Sequence, residues 1–205
     1  MIRSIRTGRI YNAVIMFIGS CIAALAAFAL SVDSLILAKT PDTVLGCDVN
    51  GKLSCSSVSK SAYANLMPLW GTQVPNAFFG LIAFGIFIGF TGALMFGYRP
   101  IKQIKWLLGL GVAFCVLFAG WLLLASILFI HVLCPWCLTM DCGVILIVIG
   151  YVRWMIACNH DGGPESNGLK SVNNEHMLTG SVISVLIEII PFLIIGLLAV
   201  MTFFG

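Results

Sequence analysis

The residues of this chain best suited to chemistry are its cysteines, 8 in a length of 205 residues. Four of them form spaced pairs: Cys134-Pro135-Trp136-Cys137 is a Cys-x-x-Cys, while Cys47 and Cys55 bracket Asp48-Val49-Asn50-Gly51-Lys52-Leu53-Ser54. Proline suits the first turn of a helix, so Cys134 is expected at a helix cap with both sulfurs near the positive end of the dipole. That setting favours thiolate. A lower thiol pKa makes a sulfur a better leaving group and its disulfide more oxidising, so the motif reads as a redox centre. Half of a structural zinc site and an ordinary surface bridge are the competing readings. In the other pair Asn50-Gly51 is a turn signal, and a chain folded back there can bring Cys47 and Cys55 within disulfide range. Independent structural bridges, or a four-cysteine metal site, stay open at this point.

The elements that must position these sulfurs are set by composition. Hydrophobic residues make up 60% of the chain and charged residues 9%, with a mean hydropathy of +1.06. A soluble domain carries roughly 25% charged residues, so the solvent for much of this chain is a membrane. Apolar runs at 12–32, 76–97, 107–130, 137–157 and 181–204 each approach the about 20 residues that a helix needs to cross a bilayer. Barrel strands would be shorter and alternate in polarity, so the expected fold class is an all-α membrane protein. Arg3, Arg6 and Arg9 before the first run resemble a secretory signal, but the run is too long for one, and an uncleaved span is expected.

Orientation follows from the cations. With the N-terminus inside, Arg3, Arg6, Arg9, Arg99, Lys102, Lys105, Arg153 and Lys170 lie inside, and only Lys39, Lys52 and Lys60 lie outside. The loop 33–75 and the turn 131–136 then face the extracytoplasmic side of the cytoplasmic (inner) membrane. The net charge of +3 reports this topology and does not point to a nucleic-acid partner. All four paired cysteines share the outer, disulfide-permissive compartment. Cys21, Cys115 and Cys142 fall inside spans and read as small apolar packing residues, and Cys158 as a reduced thiol near the inner face.

Other features are weaker. Residues 56–70 predict a short amphipathic helix, with Val58, Ala62 and Leu66 on one face and Trp70 at headgroup depth. Gly85 and Gly89 form a GxxxG expected to mark close helix packing. His131 is expected as an interfacial histidine, and Glu188, with Pro191 in the fifth run, as a hydrogen-bonded group near the inner leaflet.

At these residues the chain resembles the vitamin K epoxide reductase family. The resemblance rests on Cys47-Asp48-Val49-Asn50-Gly51-Lys52-Leu53-Ser54-Cys55-Ser56, on Ser61 at the family's spacing, on Pro75-Asn76-Ala77-Phe78-Phe79-Gly80 opening the next span, and on Cys134-x-x-Cys137. It covers about residues 10–157 and implies a four-helix bundle around a quinone, ubiquinone or menaquinone, with the run 181–204 as a fifth helix beyond a cytoplasmic loop at 158–180. It further implies that Cys134 and Cys137 are the active-site pair, with Cys137 facing the quinone, and that Cys47 and Cys55 are a shuttle pair, with Cys55 attacking Cys134. Ser61 would steady the roofing loop, and Asn76 would donate its amide to a quinone carbonyl oxygen, in the manner of an oxyanion hole.

The sequence departs from the family pattern in places. Bacterial relatives often continue from the fifth span into a fused thioredoxin-like domain; here the chain ends, so the expected partner is a separate extracytoplasmic thioredoxin-fold protein. Asp141 stands four residues after Cys137, where animal relatives carry tyrosine. Near a ring it could donate a hydrogen bond or a proton, and a bond to a neighbouring polar group is the alternative. The difference argues against vitamin K epoxide as substrate. The function expected is a membrane thiol–disulfide oxidase passing electrons from protein thiols to a quinone. The competing class is a membrane metal carrier or sensor using the outer cysteines as soft ligands, though the spacing of Cys47 and Cys55 suits it poorly. An unrelated class of quinone-linked disulfide oxidase has its Cys-x-x-Cys first, the reverse of the order here.

Overall fold

The computed structural model describes residues 2–160, apart from 50, 51, 66, 70, 71 and 99. The fifth apolar run, with Glu188, therefore lies outside the described residues. Four helices are long and apolar enough to cross a membrane: α1 (Ile2–Lys39), α3 (Asn76–Met95), α4 (Lys102–Ala125) and α5 (Pro135–His160). A short α2 (Cys55–Ser59) lies in the loop after α1. The predicted all-α membrane bundle is what is found.

Helix α1 is 38 residues long, roughly 57 Å at 1.5 Å per residue, so it extends well past a hydrocarbon core of about 30 Å. It packs along α5 and α3, and α4 packs on α5. Large apolar side chains face outward in the manner of a bilayer protein: Leu117 is 73% exposed, with Ile82, Ile86, Leu107 and Leu110 similarly placed. Among the polar side chains of the spans, Ser20, Ser31 and Thr91 close their bonds within their own helix, each donating to the carbonyl four residues earlier.

Small residues set how closely α1 and α5 approach. A methyl group built on Gly143 would meet Gly19 O at 2.7 Å and Ala23 N at 2.8 Å, and one on Gly150 would meet Met16 N at 2.9 Å. Among the described residues the predicted packing role of Gly85 and Gly89 is not found: both are exposed, and no described atom lies within 4 Å of a methyl group at either. Their spacing matches the motif, but the contacts of α3 are made by its other face, through Phe84 and Phe87.

The predicted amphipathic helix over 56–70 is also corrected. The helix ends at Ser59, followed by one 3-10 turn (Ala62–Ala64) and a hairpin of β1 (Met67–Leu69) and β2 (Thr72–Val74), with Met67 opposite Val74. Serine competes with helix by bonding backbone groups locally, and Ser61 Oγ does so by donating to Val58 O at 2.7 Å.

Gly143→Val should destabilise the bundle by about 1–3 kcal/mol through overpacking, and Gly85→Ala should be nearly neutral. Thermal unfolding of both variants in detergent micelles measures the difference.

Candidate redox site

The site begins with a backbone contact. Leu53 and Leu133 form an isolated parallel bridge, in which Ser54 N–H donates to Leu133 O and Leu133 N–H donates to Lys52 O, both at 3.0 Å. The residue after Ser54 is Cys55 and the residue after Leu133 is Cys134. The bridge sets these sulfurs side by side, with Cys134 Sγ 3.4 Å from Cys55 Sγ. Both are almost fully enclosed, Cys55 being 0% and Cys134 1% exposed.

Cys47 and Cys55 are joined in a disulfide, their Cα atoms 5.8 Å apart. The loop doubles back between Val49 and Leu53, Val49 N–H donating to Leu53 O at 3.0 Å. Asp48 organises it: the carboxylate accepts from Ser54 Oγ (2.7 Å), Ser56 N–H (3.0 Å) and Leu45 N–H (3.0 Å). Burial pushes the Asp48 pKa up, but these hydrogen bonds outweigh it and bring the value down to about 2.

On the other side of the bridge, α4 continues as a single π-helical stretch (Ser126–Ile130) and stops at His131, whose φ of 56° is left-handed. Histidine is among the residues that tolerate this conformation. His131 is exposed, and its contribution to the site is the reversal of the chain that lets Leu133 meet Leu53. Pro135 then opens α5, as the motif predicts. Cys134 and Cys137 are thiols here. The Cys137 side chain hydrogen-bonds the Cys134 sulfur and, helped by the N–H groups of Cys137 and Trp136, holds the Cys134 pKa below the usual thiol range against burial and the charge of Asp33. A sulfur of this kind is both a ready nucleophile and a good leaving group.

Beyond the sulfurs lies a cavity of about 530 Å³ between the helices, its wall mostly apolar and including Ser61, Tyr63, Asn76, Cys115, Cys137 and Met140. Ser61 ties the roof: beside its bond to Val58 O, its oxygen accepts from Ala64 N–H, and its carbonyl accepts from Asn65 Nδ2. Asn76 Nδ2 donates to Tyr63 O at 2.8 Å, fastening the start of α3 to the same roof, and Tyr63 stacks on Phe129 of the π stretch. Asp141 is buried but does not line the cavity; Met140 holds that part of the wall. Among the cysteines read as packing residues, Cys115 lines the cavity, and Cys142 is exposed on the outside of the bundle.

Asp33 escapes the sequence reading because it stands where the first loop was expected to begin. Helix α1 runs on to Lys39, so Asp33 sits within it, and its Oδ2 lies 3.4 Å from Cys47 Sγ. The signal was available: Asp33 is the one acidic residue between Ile2 and Lys39. Asp33, Cys47 and Cys55 also place ligand atoms within 4.8 Å of one another. Two of these atoms are bonded together here, and a disulfide sulfur is a poor metal ligand because binding requires thiolate.

Adjoining sulfur pairs at the end of a bundle of membrane-crossing helices define a membrane thiol–disulfide oxidoreductase. Residues 14–152 match the Vitamin K epoxide reductase family. The chain belongs to that family and is a multi-pass membrane protein. No individual curated protein matches it.

Leu133→Pro removes the N–H that holds Lys52 O and should slow exchange between Cys55 and Cys134 at least about tenfold, the cost of roughly one lost buried hydrogen bond. The Cys47–Cys55 disulfide should persist, and quenched alkylation with mass spectrometry reads both. For Asp48, a depressed pKa means that its hydrogen bonds contribute fully above the ordinary value of 3.8 and are lost as pH falls through about 2. Amide exchange at Leu45 and Ser56 should follow that profile.

Proposed function

We propose that this protein oxidises a separate extracytoplasmic thioredoxin-fold protein and passes the electrons through Cys47 and Cys55, then Cys134 and Cys137, to a membrane quinone, thereby supporting disulfide formation. The observation that carries this reading is the 3.4 Å separation of Cys55 and Cys134, with Cys137 on the wall of the apolar cavity.

In this reading the partner's thiolate attacks Cys47, the half-buried sulfur, and the Cys47–Cys55 bond breaks with its electron pair leaving on Cys55. Cys55 attacks Cys134 of the oxidised helix pair, and Cys137 leaves as thiolate. The partner's second thiolate then attacks the partner sulfur bound to Cys47, closing the partner's own disulfide and releasing Cys47, and Cys47 displaces Cys134 from Cys55 and restores the loop disulfide. The state with the loop pair joined and the helix pair reduced is the product of that last step. Each step is attack of a thiolate on a disulfide sulfur.

The residues around the cavity suit a quinone: apolar walls for the ring and tail, the Cys137 thiol, and the amide of Asn76 for a carbonyl oxygen. A quinone bound there would supply the acceptor for the electron pair. Cys137 supplies the sulfur facing it, Ser61 and Asn76 hold the roof, and Asp141 lies behind the wall that Met140 forms. The positive-inside distribution supports a cytoplasmic N-terminus and redox cysteines on the extracytoplasmic side. Residues 158–180 would form the cytoplasmic loop and 181–205 the fifth membrane helix. The metal-carrier reading is disfavoured because the loop sulfurs are bonded to each other.

In nanodiscs, Cys137→Ala should reduce quinone turnover to the non-enzymatic background, whereas undiminished turnover would remove the proposal. The double variant Cys47→Ala with Cys137→Ala leaves Cys55 and Cys134 as the outer sulfurs, and these should form a disulfide detectable by mass spectrometry.

A further inference from the structure

We infer that Asp33 is the proton acceptor for Cys47, the base that frees this sulfur to restore the loop disulfide. The inference rests on the relay proposed above and assigns a catalytic residue that the cysteine motifs do not contain.

Asp33 stands near the outer end of α1, half-buried against the loop that carries the disulfide. Asp33 points at sulfur. Its Oδ2 is 3.4 Å from Cys47 Sγ, and its carboxylate and both loop sulfurs lie within 4.8 Å of one another. With the disulfide closed, Cys47 has no proton to give. The contact becomes an S–H···O hydrogen bond when the disulfide is open and Cys47 is a thiol, the state that must lose a proton. The ionisable groups facing this contact come from every neighbouring element: Asp48 from the loop, Cys55 from α2 and Cys134 from the start of α5. Asp48 is committed to Ser54, Ser56 and Leu45, and the cysteines are the reacting atoms. Asp33 is left as the oxygen base in contact with Cys47.

When Cys55 has attacked Cys134, the bond between them is formed and Cys137 is a thiolate. The reductant's second sulfur displaces Cys47 from the mixed disulfide, closing the reductant's own disulfide, and Cys47 leaves with the proton that this second thiol gave up. Asp33 takes the proton from Cys47, and the Cys47 thiolate attacks Cys55. The Cys47–Cys55 bond forms, the Cys55–Cys134 bond breaks, and its electron pair leaves on Cys134. The proton on Asp33, a half-buried residue near the outer end of α1, passes to water at the loop. Without the carboxylate, Cys47 reacts only through the small fraction that ionises unaided.

The test compares the full-length protein with Asp33→Asn and Asp33→Glu in nanodiscs, using dithiothreitol as reductant and a soluble quinone as acceptor, with acid quenching, alkylation and mass spectrometry. Asp33→Asn should slow turnover at neutral pH by about tenfold to a hundredfold, the lower part of the range for general base catalysis. The deficit should shrink as pH rises and Cys47 ionises directly, Cys55–Cys134 should accumulate in the quench, and Asp33→Glu should recover most of the rate. Unchanged turnover in Asp33→Asn, or an equal loss at every pH with no trapped Cys55–Cys134, overturns the inference. A parent protein that forms no Cys55–Cys134 bond during turnover would instead sink the relay. The contact itself is read without turnover in Cys55→Ala, where Cys47 is a free thiol. Adding Asp33→Asn should move the midpoint of its pH-dependent alkylation downward, because a carboxylate beside a thiol opposes thiolate; an unmoved midpoint counts against Asp33.

Discussion

The structure depends on one short stretch of backbone pairing, the bridge between Leu53 and Leu133. It joins a polar loop to the head of a membrane helix through paired N–H donors, and the cysteine after each paired segment inherits the alignment. Side-chain packing alone would leave the loop free to rotate about its ends. Backbone hydrogen bonds fix both spacing and direction, because their donors and acceptors are tied to the chain itself. The surrounding features support the bridge from either side. Asp48 and the serines brace the loop, and the π stretch with the left-handed His131 delivers Leu133 from the end of α4.

The bundle below provides a rigid mount with a hole in it. Close contact of α1 and α5 through Gly19, Gly143 and Gly150 makes one side of the molecule dense. On the α3 and α4 side the helices stand apart around the cavity, closed at the top by Tyr63, Asn76 and Ser61. Cys137 belongs to both parts: its helix is clamped against α1, and its thiol is on the cavity wall.

Much of this was legible in the residues. Long apolar runs fix the spans, since length and hydropathy alone decide whether a segment can replace water by lipid. The turn at residues 50–51 and the proline after Cys134 predict a folded-back loop and a helix start, and both are present. What failed was anything that depends on which neighbour a face meets. Gly85 and Gly89 have the spacing of a packing motif but lie on a face of α3 that meets no other described helix. Residues 56–70 have helical periodicity, but serine side chains take the backbone bonds that a longer helix would need. Asp33 was hidden by a boundary: a helix that continues past its apolar run turns an apparent loop residue into a helical one that faces Cys47. The contact between Cys55 and Cys134 spans 79 positions in sequence, a distance over which no local pattern carries information.

In the proposed relay, the near-complete enclosure of Cys55 and Cys134 would make the path behave as an insulated conductor. Of Cys47, Cys55 and Cys134, the half-buried Cys47 alone is open to small thiols and peroxides dissolved in water, so these would not short-circuit the inner junction by reacting with either enclosed sulfur. In that reading traffic would be confined to a gate at the aqueous end and an outlet toward the hydrocarbon. A chain built this way can work in a chemically crowded compartment without leaking reducing equivalents to bystanders.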